Sequence, residues 1–389
     1  MESSTTSVTE KDLANWNMVE VFEEVLEEVF SKADLHPSLL DARRKLKYRP
    51  YLSLFLFGLF NPVVKSMRGL CAITALDRVQ RKFGVGKINP PRFSEVQHLL
   101  EPELLRKVFI GVMNRTGANP KPDARLAHLN LIAQDGSLWS ALPRIAWAQY
   151  GVGKNGDANG VRLHLRFHIT EDKPVDALVR RGKDNERNAL RQMCVAGQTN
   201  VGDRFYGEDY RLFSHVQEAG AFYVFRIKED AVVHVEEELP LSPEDRAAGV
   251  VRHAWVRLGA KVRSMRLRLV EIRTQDQHLL LVTNLEIEKA DAALIGLIYR
   301  RRWSIELFFR WVKCILGCRH FFAESPEGTA IQLYLALIAA LLFQHYTGKR
   351  PGRRLMEMIH MYMSGWATAQ ELARCLQEQA QAETARKKS

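Results

Sequence analysis

The sequence is poor in cysteine and starts without a basic and apolar leader. Small secreted domains depend on dense disulfides, and a secretory signal places an apolar run after positive charge. We therefore expect a cytosolic protein with free thiols. Cys314 and Cys318 lie near His320, but a structural zinc site needs a second pair of ligands, so buried free thiols are the favoured interpretation. The five cysteines are Cys71, Cys194, Cys314, Cys318 and Cys375.

No apolar run is as long as a membrane span, which needs about 20 residues. The most apolar stretch, Ile331 to Phe343, is shorter and predicts a buried helix, so no membrane partner is expected. The sequence also lacks internal repeats and low-complexity blocks. With 389 residues, of which 46% are hydrophobic, it has the composition of a globular protein with two or three domains.

Basic residues exceed acidic ones, 56 against 45, which gives a formal charge of +11. An excess of this size is typical of a protein with a polyanionic partner, and nucleic acid is the first such partner to consider. A merely soluble basic protein is the alternative, because charge alone does not identify a partner.

Helical periodicity fills the first 120 residues, as in the apolar face formed by Val21, Val25, Leu26 and Val29. Short helices joined by Gly and Pro turns and studded with basic residues could form a DNA-binding module. They fit equally well a helical cap with a solvated basic face. The basic residues are Arg43, Arg44, Lys45, Lys47, Arg49, Arg78, Arg81 and Lys82.

Strand patterns begin after a polar, proline-containing boundary between about Asn114 and Ala127. A short apolar run leads into Asp135, and alternating or apolar segments follow as far as FYVFRIK. Between Lys228 and about Asp291 the chain becomes β-rich, which predicts an inserted sheet. Helical patterns return from Asp291 onwards.

The segment LIGLIYRRRWSIELFFRWVKCILG carries the most informative pattern. If one helix runs through Leu316, a single narrow arc of it presents Tyr299, Arg302, Glu306 and Lys313. The phenol and the two cations suit a track of phosphates, whereas a carboxylate among them would repel DNA unless a divalent ion sat on it. Ordinary i,i+4 ion pairs on an exposed helix are the alternative.

Two aspartates upstream occupy complementary places. Asp135 ends an apolar strand and precedes Gly136, which predicts a sharp turn with the carboxylate exposed, although Asp-Gly is often only a turn. Asp203 lies where a strand gives way to a helix, although it could be only a helix-start residue. Together with Glu306, these carboxylates are oxygen ligands of the kind that a two-metal phosphodiester site needs.

The spacing from Tyr299 to Lys313 resembles the Y-x2-R-x3-E-x6-K signature of bacterial DDE transposases of insertion-sequence family four. The resemblance extends from about Arg43 to Phe343, through the order of the helical region, the two aspartates and the β-rich insertion. It implies an α/β fold with a ribonuclease H-like mixed sheet flanked by helices. The implied segments are 1–120, a helical DNA-binding domain; 121–228 and 291–346, the two parts of the catalytic domain; 229–290, the insertion; and 347–389, C-terminal helices and tail.

The resemblance also implies roles. Asp135, Asp203 and Glu306 would hold two Mg²⁺ or Mn²⁺ ions, and the other three signature residues would contact transposon-end phosphates. The implied reaction is cut-and-paste transposition: water nicks one strand, the freed 3′ hydroxyl closes a hairpin, the hairpin reopens and the end joins target DNA. The implied partners are double-stranded DNA with terminal inverted repeats and a second copy of the chain, in the bacterial cytoplasm with the nucleoid.

Departures from the resemblance fall near the second aspartate. The residues AGQTNVG before it are less apolar than a central strand should be, and Phe205 replaces a small residue. Asp184 and Asp209 are therefore alternatives to Asp203. In the insertion, Trp255 could stack on a flipped base during hairpin formation, although a packed sheet aromatic is the commoner role for such a residue.

Overall fold

A computed structural model describes residues 18–61, 63–64, 66–116, 123–140, 149–153, 156–260, 265–275, 277–318 and 321–386. The chain divides into two compact units. The helical unit comprises Met1–Asn119, Trp139–Val161 and Arg310–Ser389, and the α/β unit comprises Pro120–Leu138 and Arg162–Phe309.

The helical unit is built from short N-terminal helices and three C-terminal ones. Several begin at a side chain that satisfies a free backbone N–H, as when Asn89 accepts from Arg92. The helices are α1 (Met18–Ser31), α2 (Pro37–Leu40), α3 (Tyr48–Phe60), α4 (Met67–Ile73), α5 (Asp77–Phe83), α6 (Pro90–Leu99), α7 (Pro102–Arg115), α14 (Pro326–Thr347), α15 (Arg353–Met363) and α16 (Ala369–Arg386).

Helix α14 is the core of this unit. It is long and apolar enough to cross a membrane, yet 89% of its most apolar window is buried, as in the core helix of a folded domain. The prediction of a buried helix over Ile331 to Phe343 is confirmed. Helices α1, α3, α6 and α7 cover it. The N-terminal helices therefore share a core with the C-terminal region.

The thiols are free, as expected, but they are not all buried. Cys71 and Cys318 are buried, whereas Cys314 is exposed because it ends an amphipathic helix on its outer side. His320 lies outside the described residues.

The α/β unit is organised around a mixed sheet with strand order β3-β1-β5-β6-β10-β9-β8-β7, and β4 pairs with β3. Strands β1, β5 and β6 are parallel, and the strands from β6 to β7 are antiparallel neighbours. The prediction of a mixed sheet with flanking helices is confirmed. The strands are β1 (Leu131–Ser140), β2 (Gln149–Gly153), β3 (Gly156–His168), β4 (Lys173–Arg181), β5 (Thr199–Gly202), β6 (Phe222–Ile227), β7 (Val233–Glu238), β8 (Val250–Leu258), β9 (Leu267–Arg273) and β10 (His278–Thr283).

Within the described residues, six helices follow or separate these strands. They are α8 (Glu186–Met193), α9 (Arg204–Gly207), α10 (Tyr210–Glu218), α11 (Pro243–Ala247), α12 (Ala292–Arg301) and α13 (Ser304–Cys314). Helix α13 continues into the helical unit, and β2 pairs with the start of β3 there.

The β-rich segment extends the main sheet. Its strands are present as predicted, but β10 pairs with β6 from Leu280 opposite Ile227 to Thr283 opposite Val224. Strand β10 is apolar and nearly all of it is buried, so it completes the unpaired edge of β6.

Strand β5 is central although it is polar. Asn200 is fully buried, and its side chain accepts a hydrogen bond from Gln134 at 2.9 Å and donates to the Phe222 carbonyl at 3.1 Å. The polar sequence before Asp203 is therefore compatible with a buried strand, because the amide of Asn200 is satisfied on both sides.

A buried arginine joins the antiparallel strands to the start of α12. The Arg268 guanidinium is fully buried and donates to the carbonyls of Leu285 and Ala290 at 2.6 and 2.9 Å. His253 lies 3.2 Å from it and accepts as a neutral ring. Burial, and then the charge of Arg268, lower the pKa of His253 to about 4.

This pKa makes the stability of the fold depend on pH. Because the folded pKa is below the ordinary value near 6.5, His253 stabilises the fold fully above pH 6.5, and this contribution is lost as the pH falls towards 4. Between pH 7.5 and 5 the loss should be about 2 kcal/mol, at about 1.4 kcal/mol per pH unit.

Urea unfolding of wild type and His253→Gln at both pH values tests this expectation. Glutamine offers Arg268 an acceptor oxygen but does not titrate, so the variant should lose about 2 kcal/mol less than wild type on acidification. Equal losses would contradict the assignment.

Candidate active site

Asp135 lies within β1 rather than at its end. The parallel pairing with β5 covers Leu131 to Ala133, and the strand then continues through Gly136 to Ser140 beside β3. The predicted turn at Asp135 is therefore wrong, because pairing keeps the backbone extended. Its carboxylate is largely buried and accepts from the Gly136 N–H at 2.8 Å.

Asp203 directly follows β5 and caps α9. Its carboxylate accepts from the Phe205 N–H at 2.9 Å. The two alternatives are engaged elsewhere: Asp184 faces His164 at 3.5 Å, and Asp209 caps α10 while it binds Arg191. Neither contributes to the electrostatic shift of Asp135, whereas Asp203 does.

The signature segment is two helices, not one. Helix α12 ends at Arg301 and α13 begins at Ser304. Between them the hydrogen bonds tighten from i−4 to i−3, as from the Ile305 N–H to the Arg302 carbonyl at 3.1 Å. The predicted continuous helix and its single arc are wrong. The predicted core side is confirmed, because Ile298, Ile305, Phe308 and Val312 are buried.

Arg302 lies at this break and binds Glu306. Its guanidinium donates to the Glu306 carboxylate at 2.7 Å and lies 5.7 Å from the Tyr299 ring. The Arg302 side chain is only 11% exposed and that of Glu306 is 30% exposed. Such a shielded pair is screened by water less than a surface i,i+4 pair. Lys313 belongs to the helical unit, where its ammonium lies 4.3 Å from the Trp139 ring.

Negative charge accumulates around Asp135. Burial first, and then the charge of Glu186, raise the pKa of Asp135 to about 7. The hydrogen bond from the Gly136 N–H and the charge of Arg302 oppose this rise, and the charge of Asp203 adds a smaller effect that raises the pKa. Tyr206 is affected by the same acids. Burial and the charges of Glu186, Asp135 and Asp203 raise the pKa of Tyr206 well above its ordinary value. These side chains therefore interact within one part of the α/β unit.

Glu186 was not predicted from the sequence. It is the first residue of α8, and its carboxylate binds Arg162 and accepts from the Tyr206 hydroxyl at 3.5 Å. A Cβ on Gly136 would lie 2.6 Å from its Oε1. A side chain at the position after Asp135 would therefore have to displace Glu186. The sequence offers no signal for this role beyond a common helix start, Asn185 followed by an acid.

The predicted trio is not assembled as a metal cage. Within the ranges that the structure describes, no group of three or more His, Cys, Asp or Glu side chains is close enough to hold a metal ion. The physical reason lies in the individual partners: Glu306 is bound to Arg302, and Asp203 is bound to the first turn of α9.

Trp255 lies on β8 as a half-buried sheet residue. It is opposite Arg268 on β9 and Glu237 on β7. The Arg266 guanidinium covers its ring at 4.8 Å from the centroid. One face of the indole is therefore already stacked by a cation.

Residues 127–342, over half of the chain, match the family described as Transposase DDE domain. The chain is 30% identical over 204 residues to a probable transposase for insertion sequence element IS5377 of Geobacillus stearothermophilus, covering 52% of each chain. It is 28% identical over 260 residues to a putative transposase for insertion sequence element IS4SA of Synechocystis sp., covering 65% of this chain and 70% of that one.

The chain spans about half the length of the first relative and of a putative transposase, y4zB, of Sinorhizobium fredii, to which it is 29% identical over 51% of its own length. A piggyBac transposase in a synaptic complex with hairpin DNA aligns with 96% of this chain and 83% of its own, at 10% identity and a TM-score of 0.44. This likeness is too low to establish a shared fold.

Gly207 allows α9, the helix that Asp203 caps, to pack closely against the sheet. A Cβ at this position would lie 1.9 Å from the Arg226 carbonyl oxygen on β6. Gly207→Ala should therefore displace α9 and destabilise the protein by about 1–3 kcal/mol, measured by urea unfolding.

Gly86→Ala is the matched control, because no atom lies within 4 Å of the added methyl group. It should change stability by less than about 0.5 kcal/mol. Similar midpoints for the two variants would contradict the packing argument.

Proposed function

Because the chain belongs to the Transposase DDE domain family, we propose that it is a DNA transposase that cuts and joins DNA at the ends of an insertion sequence. We propose for the catalytic domain the ribonuclease H-like fold that the family resemblance implies. The observation that carries the proposal is the shared electrostatic environment of Asp135 and Asp203, linked through Arg302 to Glu306. Arg302 acts on Asp135 and binds Glu306, so it connects two acids that lie on separate elements.

The chemistry of the proposed donors suits a divalent cation, because hard divalent ions prefer oxygen ligands. Burial and neighbouring carboxylates hold the pKa of Asp135 near 7, so a cation would relieve repulsion that the protein itself leaves in place. We propose that Asp135, Asp203 and Glu306 hold two Mg²⁺ or Mn²⁺ ions, for which Glu306 must exchange its bond to Arg302. When bound, these ions would supply Lewis acidity at the scissile phosphate and favour deprotonation of the attacking hydroxyl.

The chain's own cations have a separate role. Arg302, once released from Glu306, offers a planar fork that matches a phosphate, and the Tyr299 hydroxyl offers a further donor beside it. We assign both to the transposon-end phosphates, together with Lys313. Trp255 would stack on a flipped base only if Arg266 left its ring.

The proposed reaction is cut-and-paste transposition. A strand at the terminal inverted repeat is hydrolysed, its 3′ hydroxyl closes a hairpin on the opposite strand, and the reopened end joins target DNA. We propose that a homodimer on DNA carries this out in the bacterial cytoplasm, in contact with the nucleoid. A ribonuclease H-like nuclease without strand joining and an inactive DNA-binding relic are the alternatives.

Glu306→Gln separates these functions. With Mg²⁺ and DNA bearing the end of the element, the variant should bind as wild type does but nick at least about 100-fold more slowly, which corresponds to about 3 kcal/mol of activation free energy. Gel analysis of nicked, hairpin and joined products measures each step.

Glu357→Gln is the matched control, since Glu357 forms the same i,i+4 pair with Arg353 at 3.0 Å on α15. It should cleave as wild type does. Wild type that binds the end and never nicks it would reject the enzyme in favour of the relic. Nicking without hairpin or joined product would favour the nuclease.

The helical unit offers a place for the DNA backbone. A cleft of about 550 Å³ is lined by Ser38, Asp41, Arg43, Arg44, Lys45, Leu46, Arg92 and Glu95. Arg44 is 12% exposed and bound to Glu95 at 2.8 Å, so it supports the cleft wall. Lys45 and Arg92 are exposed on the rim. We propose that the N-terminal helices bind DNA phosphates here.

Salt dependence tests this surface. Lys45→Gln combined with Arg92→Gln should weaken DNA binding and flatten the slope of log K against log salt by about two, because each phosphate contact contributes about 0.9. Fluorescence anisotropy at several salt concentrations measures the slope.

Lys32→Gln combined with Arg353→Gln removes the same charge from residues already paired with Glu28 and Glu357. This control should keep the wild-type slope. Equal slopes in both double variants would place the DNA elsewhere.

A further inference from the structure

Glu186 lies against the residue that follows Asp135, a contact that the sequence does not indicate. Its Oε1, Cδ and Cγ would all lie within 2.9 Å of a Cβ on Gly136, so the side chain crosses the bare backbone next to Asp135. Among the charges that act on Asp135, Glu186 has a larger effect than Arg302 or Asp203. The acid on α8 is therefore the principal charged neighbour of the β1 aspartate.

Two hydrogen-bonding partners fix Glu186 in this position. Arg162 on β3 donates to its Oε1, and the same guanidinium is anchored by a hydrogen bond to the Gly182 carbonyl at 3.0 Å. The Tyr206 hydroxyl faces its other oxygen at 3.5 Å. The side chain is only 13% exposed. Burying a carboxylate beside two others costs free energy unless a cation or a hydrogen-bond donor binds it. Arg162 supplies that cation.

We propose that Glu186 is a positioning residue of the active site, which fixes Asp135 through Gly136 and strengthens divalent-cation binding by adding a fourth negative charge. This inference rests on the proposed function. Arg162 holds the carboxylate in place and offsets part of its charge, so that β1, α8 and the loop after β5 can approach one another.

Titration of the full chain with Mn²⁺ alone, followed by calorimetry, tests the inference without DNA. Glu186→Gln should weaken Mn²⁺ binding about tenfold, the usual size of an effect from residues that support metal ligands. In end cleavage it should lower kcat and leave the KM for DNA unchanged. Glu186→Asp should recover part of both losses. Wild-type Mn²⁺ affinity in Glu186→Gln would overturn the inference.

Glu208→Gln is the matched control. Glu208 is also bound by cations, Arg187 at 3.2 Å and Lys228 at 3.1 Å, close to the same loop, but it does not act on Asp135. It should bind Mn²⁺ and cleave DNA as wild type does. If both variants lost the same Mn²⁺ affinity and cleavage rate, the effect of Glu186 would be one of charge in general. That result would overturn its positioning role.

Gly136→Ala tests the contact itself and keeps every charge. Its methyl group would displace Glu186, so Mn²⁺ binding should weaken; in a Glu186→Ala background, where the space is open, the same change should cost nothing further. If Glu186→Gln does not fold, the Mn²⁺ affinities of Gly136→Ala in the two backgrounds test the inference instead. The inference is overturned if the effects of Gly136→Ala and Glu186→Ala on Mn²⁺ affinity add, or if Gly136→Ala has no effect.

The outcomes separate this inference from the proposed function. Wild type that binds Mn²⁺ but never cuts DNA would defeat the function and leave the Mn²⁺ comparison intact. Wild type that cuts DNA while Glu186→Gln matches it in every measurement would defeat only the inference. Wild type that binds no Mn²⁺ would defeat both the inference and the proposed metal site.

Discussion

Asp135, Glu186 and Asp203 repel one another in a place where burial leaves little water to screen their charges. The surrounding structure is arranged around this repulsion. A guanidinium from β3 binds one carboxylate, and backbone N–H groups bind the other two. Because each acid has a partner of its own, the sheet can bring three elements together without neutralising the site completely. The remaining excess of negative charge is what a divalent cation would use.

Much of this architecture could be predicted because it follows from local patterns. The apolar run of α14 had to be buried, and the apolar side of the signature segment had to face a core. The β-rich segment contained the predicted strands, since alternation specifies strands directly. The pairing partners of these strands could not be predicted from the same alternation. Whether β10 pairs with β6 or starts a new sheet depends on contacts between residues more than 50 positions apart.

The site was predicted less completely, for two physical reasons. The break at Arg302 depends on a local change of hydrogen bonding that periodicity does not reveal, because helical spacing continues across it. Glu186 is joined to Asp135 only by tertiary packing over Gly136, and its own neighbourhood is an ordinary helix start. Family resemblance supplied the roles of the signature residues, and a resemblance carries no information about an acid outside its motif.

The hydrogen bonds of Arg268 limit which segments of the chain can be exchanged with those of a relative. Its guanidinium, from within the β-rich segment, holds the carbonyls that precede α12, the helix carrying Tyr299. A chimera that exchanges this segment with that of a relative would therefore transplant the anchor of the following helix as well. Because Leu285 and Ala290 belong to the same segment as Arg268, the exchange would keep these hydrogen bonds only if the buried cation and both acceptor carbonyls moved together as one unit.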